Sequence, residues 1–341
     1  MTATLRAARL GAAVAGLGVG EQHARTLSAQ RNIGKVWLFD VRRERADALA
    51  RNIPGSQVAD SYQSLLDNPE IGVISIASFD DAHFDQAAAA LSAGKHVFVE
   101  KPLCRTIAEL REIKRLWAAA GGKLRLGSNL VLRAAPLYRW LKEGIGRGDL
   151  GDLYAFDGDY LYGRLHKITE GWRRDVAEYS VMLGGGIHLL DLMLWLTGKR
   201  PVSVVAAGNR ISSRDTPFRY DDFSAATLKF ADGMVGRITA NFGCVHRHQH
   251  AMRIFGTAAT FIYDDAGARL HESRDPAVAA RAIGAAPLPA SKGDLMREFV
   301  ESIVNGTDIE RETQIVFDGI SVAIACDRAA ASGMPEGIEY V

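Results

Sequence analysis

One short stretch limits the possible folds of this 341-residue chain more than any other: Val14–His23, which reads V-A-G-L-G-V-G-E-Q-H. A compact apolar run, Ala12–Ala15, breaks into glycines, and a polar segment of helical character, Glu21–Gln30, follows directly. Glycines suit such a strand–helix turn because the backbone has to turn tightly and let a ligand approach closely, while the helix start offers unpaired N–H groups and a positive dipole end. The spacing here is G-x-G-x-G (Gly16, Gly18, Gly20), one residue shorter than the usual dinucleotide fingerprint. Context supplies what the motif lacks. Lys35–Asp40 (K-V-W-L-F-D) reads as a buried strand ending in an acid 24 positions after Gly16, where a carboxylate is expected to meet the adenosine ribose hydroxyls. The unit therefore predicts a dinucleotide on Gly16, Leu17, Gly18, Val19, Gly20 and Asp40. An acid at position 40 repels a 2′-phosphate and favours NAD over NADP, a preference that Arg42 and Arg43 soften.

Strand and helix signals keep alternating to about Leu126. Arg42–Arg51 is helical, Ile71–Ala77 a strand, and Asp81–Ala93 a helix with Asp80 as N-cap and Gly94 past its end. His96–Val99 is the next strand, and Thr106 with Glu109 forms a capping box opening a helix that closes at Gly121-Gly122. Lys123–Leu126 supplies another strand. Such alternation implies a doubly wound parallel sheet covered on both faces. After about residue 130 the pattern changes. Helices are read at Pro136–Lys142 and Ile187–Leu196, and strand-like runs at Leu153–Arg164, Val202–Ala207, Phe223–Phe230, Met234–Phe242 and His248–Phe255. The tail from Asp294 to Ala331 is again helical. The expected fold is α/β, with a Rossmann domain over 1–128 and an α+β domain over 129–341 whose open sheet is mostly antiparallel and whose C-terminal helices pack back on the first domain.

Composition narrows the partners. With 41 Lys and Arg against 40 Asp and Glu, the net charge of +1 removes the electrostatic case for nucleic acid or an anionic membrane surface. Cys104, Cys244 and Cys326 are odd in number and widely spaced, which fits a reducing compartment rather than a disulfide framework or zinc site. Arg6 and Arg9 before an apolar run to Leu17 mimic the start of a secretion signal, but Gly11, Gly16, Gly18 and Gly20 interrupt it. A cytoplasmic chain is expected.

Val97-Phe98-Val99-Glu100-Lys101-Pro102 puts a lysine directly after a buried strand, at the end of the sheet where open α/β folds bind ligands. Pro102 fixes the local backbone and suits a cis bond. The Lys101 ammonium is fitted to polarise an alcohol oxygen or exchange a proton with it. Here the chain resembles the glucose–fructose oxidoreductase/inositol dehydrogenase (Gfo/Idh/MocA) family. The resemblance rests on the glycine loop followed by His23-Ala24, on Ser78-Phe79-Asp80-Asp81-Ala82-His83, and on Ala93 to Pro102. Gly171-Trp172-Arg173, Gly186-Ile187-His188-Leu189-Leu190-Asp191 and Phe255-Gly256-Thr257 extend it. It implies a homodimer or homotetramer, with Lys101 and His188 at the nicotinamide and the reacting carbinol. By the same likeness Ser78, His83, Glu100 and Asn129 lie on the cofactor side, and Trp172 and Arg173 near the nicotinamide or substrate. Many members carry an acid four residues before the histidine, where this chain has Gly184; Asp175, Glu178 and Tyr179 are the nearby groups able to compensate.

His188 also stands on its own. It is expected in the first turn of an apolar helix, where the dipole would lower its pKa and favour the neutral base. Asp191, one turn on, is placed either to hydrogen-bond His188 or to tie down neighbouring backbone, and the structural role is the reading taken. Tyr160, Tyr162 and Arg164 share one strand face, which suits packing or a sugar, and Tyr160 is counted with the substrate residues. His246, His248 and His250 alternate in V-H-R-H-Q-H and would share a strand face. Without a matching carboxylate or cysteine they read as a polar sheet face or subunit contact rather than a metal site, the other reading being that one of them contacts substrate. Together these readings predict an NAD-dependent oxidoreductase acting on a secondary hydroxyl of a sugar, sugar nucleotide or inositol, with no metal. The alternatives are an NAD-binding regulator of the same fold, and a lyase or hydrolase using NAD for transient oxidation.

Overall fold

A computed structural model describes residues 9–341, so Arg6 lies outside the described residues. The chain forms two compact units, one comprising the residues up to Asn129 with Ala290–Gln314, the other Leu130–Pro289 with Ile315–Val341. The second unit is thus interrupted by a segment that belongs with the first. No helix among the described residues is long and apolar enough to cross a membrane.

The first unit runs β1 (Leu10–Ala15), α1 (Gly20–Ser28), β2 (Ile33–Phe39), α2 (Arg43–Ala50), β3 (Gln57–Val58), α3 (Tyr62–Asp67), β4 (Ile71–Ile76), α4 (His83–Ser92), β5 (His96–Val99), α5 (Ile107–Ala119) and β6 (Leu126–Ser128). All six strands are parallel, in the order β3-β2-β1-β4-β5-β6. The order doubles back at β1, next to β4, the switch point outside whose strand ends ligands bind in such sheets. Ala12, Ala13, Val14 and Ala15 are wholly buried, as expected for a strand covered on both faces. The helix Asp294–Asn305 adds Met296, Phe299 and Val300 to this core, with Phe299 at 5.2 Å from Phe98 ring to ring.

Three readings of the first unit change, the first being the strand read at Lys123–Leu126, which forms instead over Leu126–Ser128. The N-cap of α4 is Ala82, without a side-chain bond, rather than Asp80, because a turn closed by Ala82 N–H on the Phe79 carbonyl delays the helix. The two-residue β3 and six-residue α3 are too short to display a period and are absent from the sequence reading. The capping box of α5 is present: Glu109 N–H donates to Thr106 Oγ1 (3.2 Å) and Thr106 N–H to Glu109 Oε2 (3.0 Å).

The second unit contains α6 (Pro136–Arg147), β7 (Leu153–Leu161), α7 (His166–Thr169), α8 (Ile187–Thr197), β8 (Pro201–Asn209), β9 (Phe223–Phe230), β10 (Val235–Asn241), β11 (Gln249–Gly256), β12 (Thr260–Asp264), β13 (Gly267–His271) and β14 (Arg281–Ile283), with a final short strand, Glu336–Gly337, beside β8. These nine strands form one sheet, antiparallel throughout except for the β7–β10 pair. Phe156, Gly158 and Tyr160 of β7 alternate inward with half-exposed Asp157 and Asp159, which hold Arg237 of β10 at 3.4 Å. α8 is apolar all round and almost wholly buried, including Leu189, Leu190, Leu192, Met193 and Leu194.

Candidate active site

In the first unit each glycine of the loop has a different reason to be there. Gly16 has φ +84°, and a Cβ on it would lie 2.5 Å from the Ala77 carbonyl and Ser78 nitrogen. Gly20 packs α1 onto β1, where a Cβ would approach Val14 Cγ1 to 2.9 Å. Gly18 meets nothing within 4 Å, so it leaves room for a ligand rather than for protein. Val19, before α1, makes no side-chain cap. Asp40 shapes this loop directly: its Oδ2 accepts from Leu17 N–H (2.8 Å) and Oδ1 from Arg42 N–H (2.9 Å). A carboxylate keeps further acceptor sites after two such bonds, so a ribose hydroxyl can still be accommodated. Arg43 is engaged by Asp60, and Arg45 approaches Asp40 at 3.9 Å. These residues fit a dinucleotide. Gly18→Val is accordingly expected to leave thermal unfolding within about 1 kcal/mol of wild type yet weaken NADH binding at least tenfold, measured by fluorescence titration.

The end of β5 is held by a buried polar network. Asn129 Nδ2 donates to Glu100 Oε1 (2.6 Å) and to the Lys292 carbonyl (3.1 Å). His23 Nε2 stands 3.2 Å from the same Glu100 oxygen, and its Nδ1 bonds Ser75 Oγ at 2.8 Å. Burial by itself would push the Glu100 carboxyl up. The bond and charge from His23, the Asn129 bond and the nearby Lys101 ammonium override it and hold the pKa at about 2. Lys101 follows, with a cis bond to Pro102. His83 is fully buried; its Nδ1 donates to the Pro102 carbonyl (2.6 Å) and its Nε2 faces that of Ser78 (3.2 Å). Ser78 Oγ donates to Gln86 Oε1 (2.7 Å). Glu100, Asn129, His83 and Ser78 thus hold the backbone around Lys101. His23 and Ser75 are members of this network that reading for chemistry overlooked; only the position of His23 just after the glycine loop hinted at it.

The depressed Glu100 pKa has a consequence for stability. A carboxyl at about 2 folded and near 4.5 unfolded contributes above pH 4.5 and loses that contribution as pH falls toward 2. The expected loss is about 3 kcal/mol. Urea midpoints of wild type and Glu100→Gln should converge over that window; parallel curves would refute it.

In the second unit His188 lies in a cluster of rings. Tyr160 stacks near it at 6.1 Å and His250 meets it edge-on at 5.6 Å, centroid to centroid. Tyr160 in turn touches Tyr162 (5.7 Å), Phe242 (5.6 Å), His248 (5.2 Å) and His250 (5.2 Å). Burial, with Tyr162 and Tyr179 nearby, pushes the Tyr160 phenol well above its ordinary range and keeps it protonated. Arg164 lies over Tyr162 at 5.5 Å, and Arg173 over Trp172 at 4.4 Å. Asp191 is fixed by Arg133, whose Nε and Nη2 donate to it at 2.9 and 2.5 Å. A π-helical turn, Met182–Gly186, runs straight into α8. His188 therefore does not stand at a free helix start, and since the dipole's effect fades within the first turn, the expected dipole effect on its pKa is withdrawn. Such π turns recur at functional sites.

Gly184, where an acid was expected by resemblance, is filled from outside: a Cβ there would lie 2.3 Å from Tyr179 Oη. Of the three groups able to compensate, Tyr179 is thus the one placed there. Asp175 is paired with Arg174 at 2.9 Å, and Glu178 adopts φ 55°. The histidine triplet does not share a strand face either. β11 starts at Gln249, so His246 sits in the preceding turn against Asp265 (3.0 Å), while His248 and His250 join the ring cluster, 4.8 Å apart. Among the described residues no group of three or more His, Cys, Asp or Glu is placed to hold a metal ion.

Comparison with known proteins agrees with this architecture. A model of an oxidoreductase family's NAD-binding Rossmann fold (GFO/IDH/MocA) matches residues 10–128, and one of a GFO/IDH/MocA C-terminal domain matches residues 138–262. Inositol 2-dehydrogenase of Acidothermus cellulolyticus is 28% identical over 337 residues, 97% of this chain and 94% of that protein. The 1,5-anhydro-D-fructose reductase of Ensifer adhaerens is 31% identical over 168 residues, 48% of this chain. Matches to that reductase and to two other curated relatives span only 49% to 62% of those proteins' lengths. A solved levoglucosan dehydrogenase, in complex with NADH and L-sorbose, shares the fold with a TM-score of 0.85 at 20% identity, covering 97% of this chain and 99% of that one. A glycine loop that leaves room only at Gly18, a six-stranded parallel sheet and two matching domain models lead to one conclusion: the chain belongs to the GFO/IDH/MocA family, with an NAD-binding Rossmann domain in its first unit.

Proposed function

We propose that the chain oxidises a secondary hydroxyl of a sugar, sugar nucleotide or inositol, with Lys101 and His188 handling the hydroxyl proton. NAD, when bound, supplies the acceptor for the hydride. Matching relatives are named for inositol, 1,5-anhydro-D-fructose and levoglucosan, which supports this substrate class. The observation that carries the reading is the setting of His188: a nearly buried imidazole among the rings of Tyr160, His248 and His250. Such a surface offers aromatic faces to the C–H side of a polyol and imidazole nitrogens to its hydroxyls.

In this reading Gly16 to Gly20 and Asp40 bind the dinucleotide. Glu100, Asn129, His83 and Ser78 hold the strand ending, so that Lys101 presents its ammonium to the substrate oxygen. His188 accepts the hydroxyl proton, and Arg133 anchors Asp191 to keep α8 in place. Trp172 and Arg173 contact substrate beside it. The test is a screen of myo-inositol, levoglucosan and nucleotide sugars that follows NADH absorbance and product mass. The expected result is NADH formed in step with a product two hydrogens lighter. Failure of every polyol to reduce NAD would overturn the reading, and product without net NADH would replace it with transient oxidation.

A further inference from the structure

His250 stands at the middle of β11, in register with Tyr160 on β7. The two rings lie 5.2 Å apart, and His188 and His248 approach the same imidazole at 5.6 and 4.8 Å. The side chain is 6% exposed, and Nε2 has no hydrogen-bond partner among the described residues. Burial, with His248 adding to it, pulls the His250 pKa down to about 3, so the ring is neutral at physiological pH. A neutral imidazole carries one donor and one acceptor. Packing alone would be served as well by phenylalanine, without the cost of a buried nitrogen that lacks a partner.

A metal ion is not the missing partner, since no group of three ligating residues is assembled among the described residues. A hydroxyl is suited, because it donates and accepts and so pairs with either imidazole tautomer. We propose that His250 is a specificity-determining residue whose Nε2 hydrogen-bonds a second hydroxyl of the substrate, the neighbour of the one that meets His188. This inference rests on the polyol oxidation proposed above and assigns within it a preference for substrates carrying a vicinal diol.

The test is a cycle of protein and substrate changes. Wild type, His250→Phe and His250→Asn are assayed with myo-inositol and levoglucosan, and with mono-deoxy analogues of whichever is oxidised. His250→Phe should lower kcat/KM about tenfold, the size of one neutral hydrogen bond, mostly through KM. For one deoxy analogue the wild type should lose about tenfold while His250→Phe loses nothing further; His250→Asn, which keeps a donor and an acceptor, should retain part of the discrimination. A purely structural role would leave every deoxy penalty equal in wild type and variants, and that result would overturn the proposal. NADH titration reports folding, and if His250→Phe does not bind NADH the Asn variant completes the cycle. Should wild type oxidise neither polyol, the polyol reading itself fails for these probes and the inference falls with it; equal penalties in an active enzyme refute His250 alone.

Discussion

Lys101→Met should lower turnover about 100- to 10,000-fold, the usual contribution of a positioned acid or base, while NADH affinity stays within about threefold of wild type, a binding change of under 1 kcal/mol. The substitution keeps the length of an unbranched side chain and removes only the charge and the exchangeable proton. In the proposed reading the dinucleotide is bound chiefly by the loop from Gly16 to Gly20 and by Asp40, and the change leaves the internal bonds of that loop intact. The Glu100 carboxylate remains held by Asn129 and His23, so the strand ending keeps its shape. Stopped-flow NADH formation from NAD and a polyol that the wild type oxidises, alongside fluorescence titration of NADH, separates the two effects. Near-normal turnover would assign the proton to His188 alone.

The second large effect concerns stability. Arg133→Met should destabilise the fold by about 3–5 kcal/mol at neutral pH, because it leaves a buried carboxylate without its counter-ion. Asp191 is 1% exposed, and both of its oxygens accept from Arg133. Burial already pushes the Asp191 carboxyl up, and the Arg133 charge opposes that rise. Without Arg133 the folded-state pKa climbs further above the unfolded one. The folded state then binds the extra proton, and the deficit should shrink as pH falls. Urea unfolding at pH 8 and pH 5 reads this sign. In Arg133→Met/Asp191→Leu most of the loss should return, since replacing both partners of a buried pair by apolar groups is often neutral. Equal deficits at both pH values would show that Arg133 acts through packing.

How far the sequence reaches depends on how local each signal is. The parallel sheet is legible because buried strands read as apolar runs between turn residues, as in Ile71–Ile76 and His96–Val99. The capping box at Thr106 and the glycine loop are legible because their residues act on neighbours a few positions away. The Glu100 network is not, because Asn129 reaches His23 across 106 positions. The sequence reading has C-terminal helices packing back on the first domain but does not name the stretch, Ala290–Gln314, that groups with it, since helical periodicity does not identify the partner of a helix.

Sequence by itself therefore determined the two-part architecture, the NAD loop, and the identity of the charged and imidazole groups available for chemistry. Only the tertiary structure decided their surroundings. It moved His188 from a helix start to the interior of a continuous helical run, filled the place beside Gly184 with Tyr179 Oη, and sent His246 away from His248 and His250. The physical reason is that backbone pattern follows from short-range propensity and burial, whereas the environment of a side chain depends on groups distant in sequence that share a few ångströms of space.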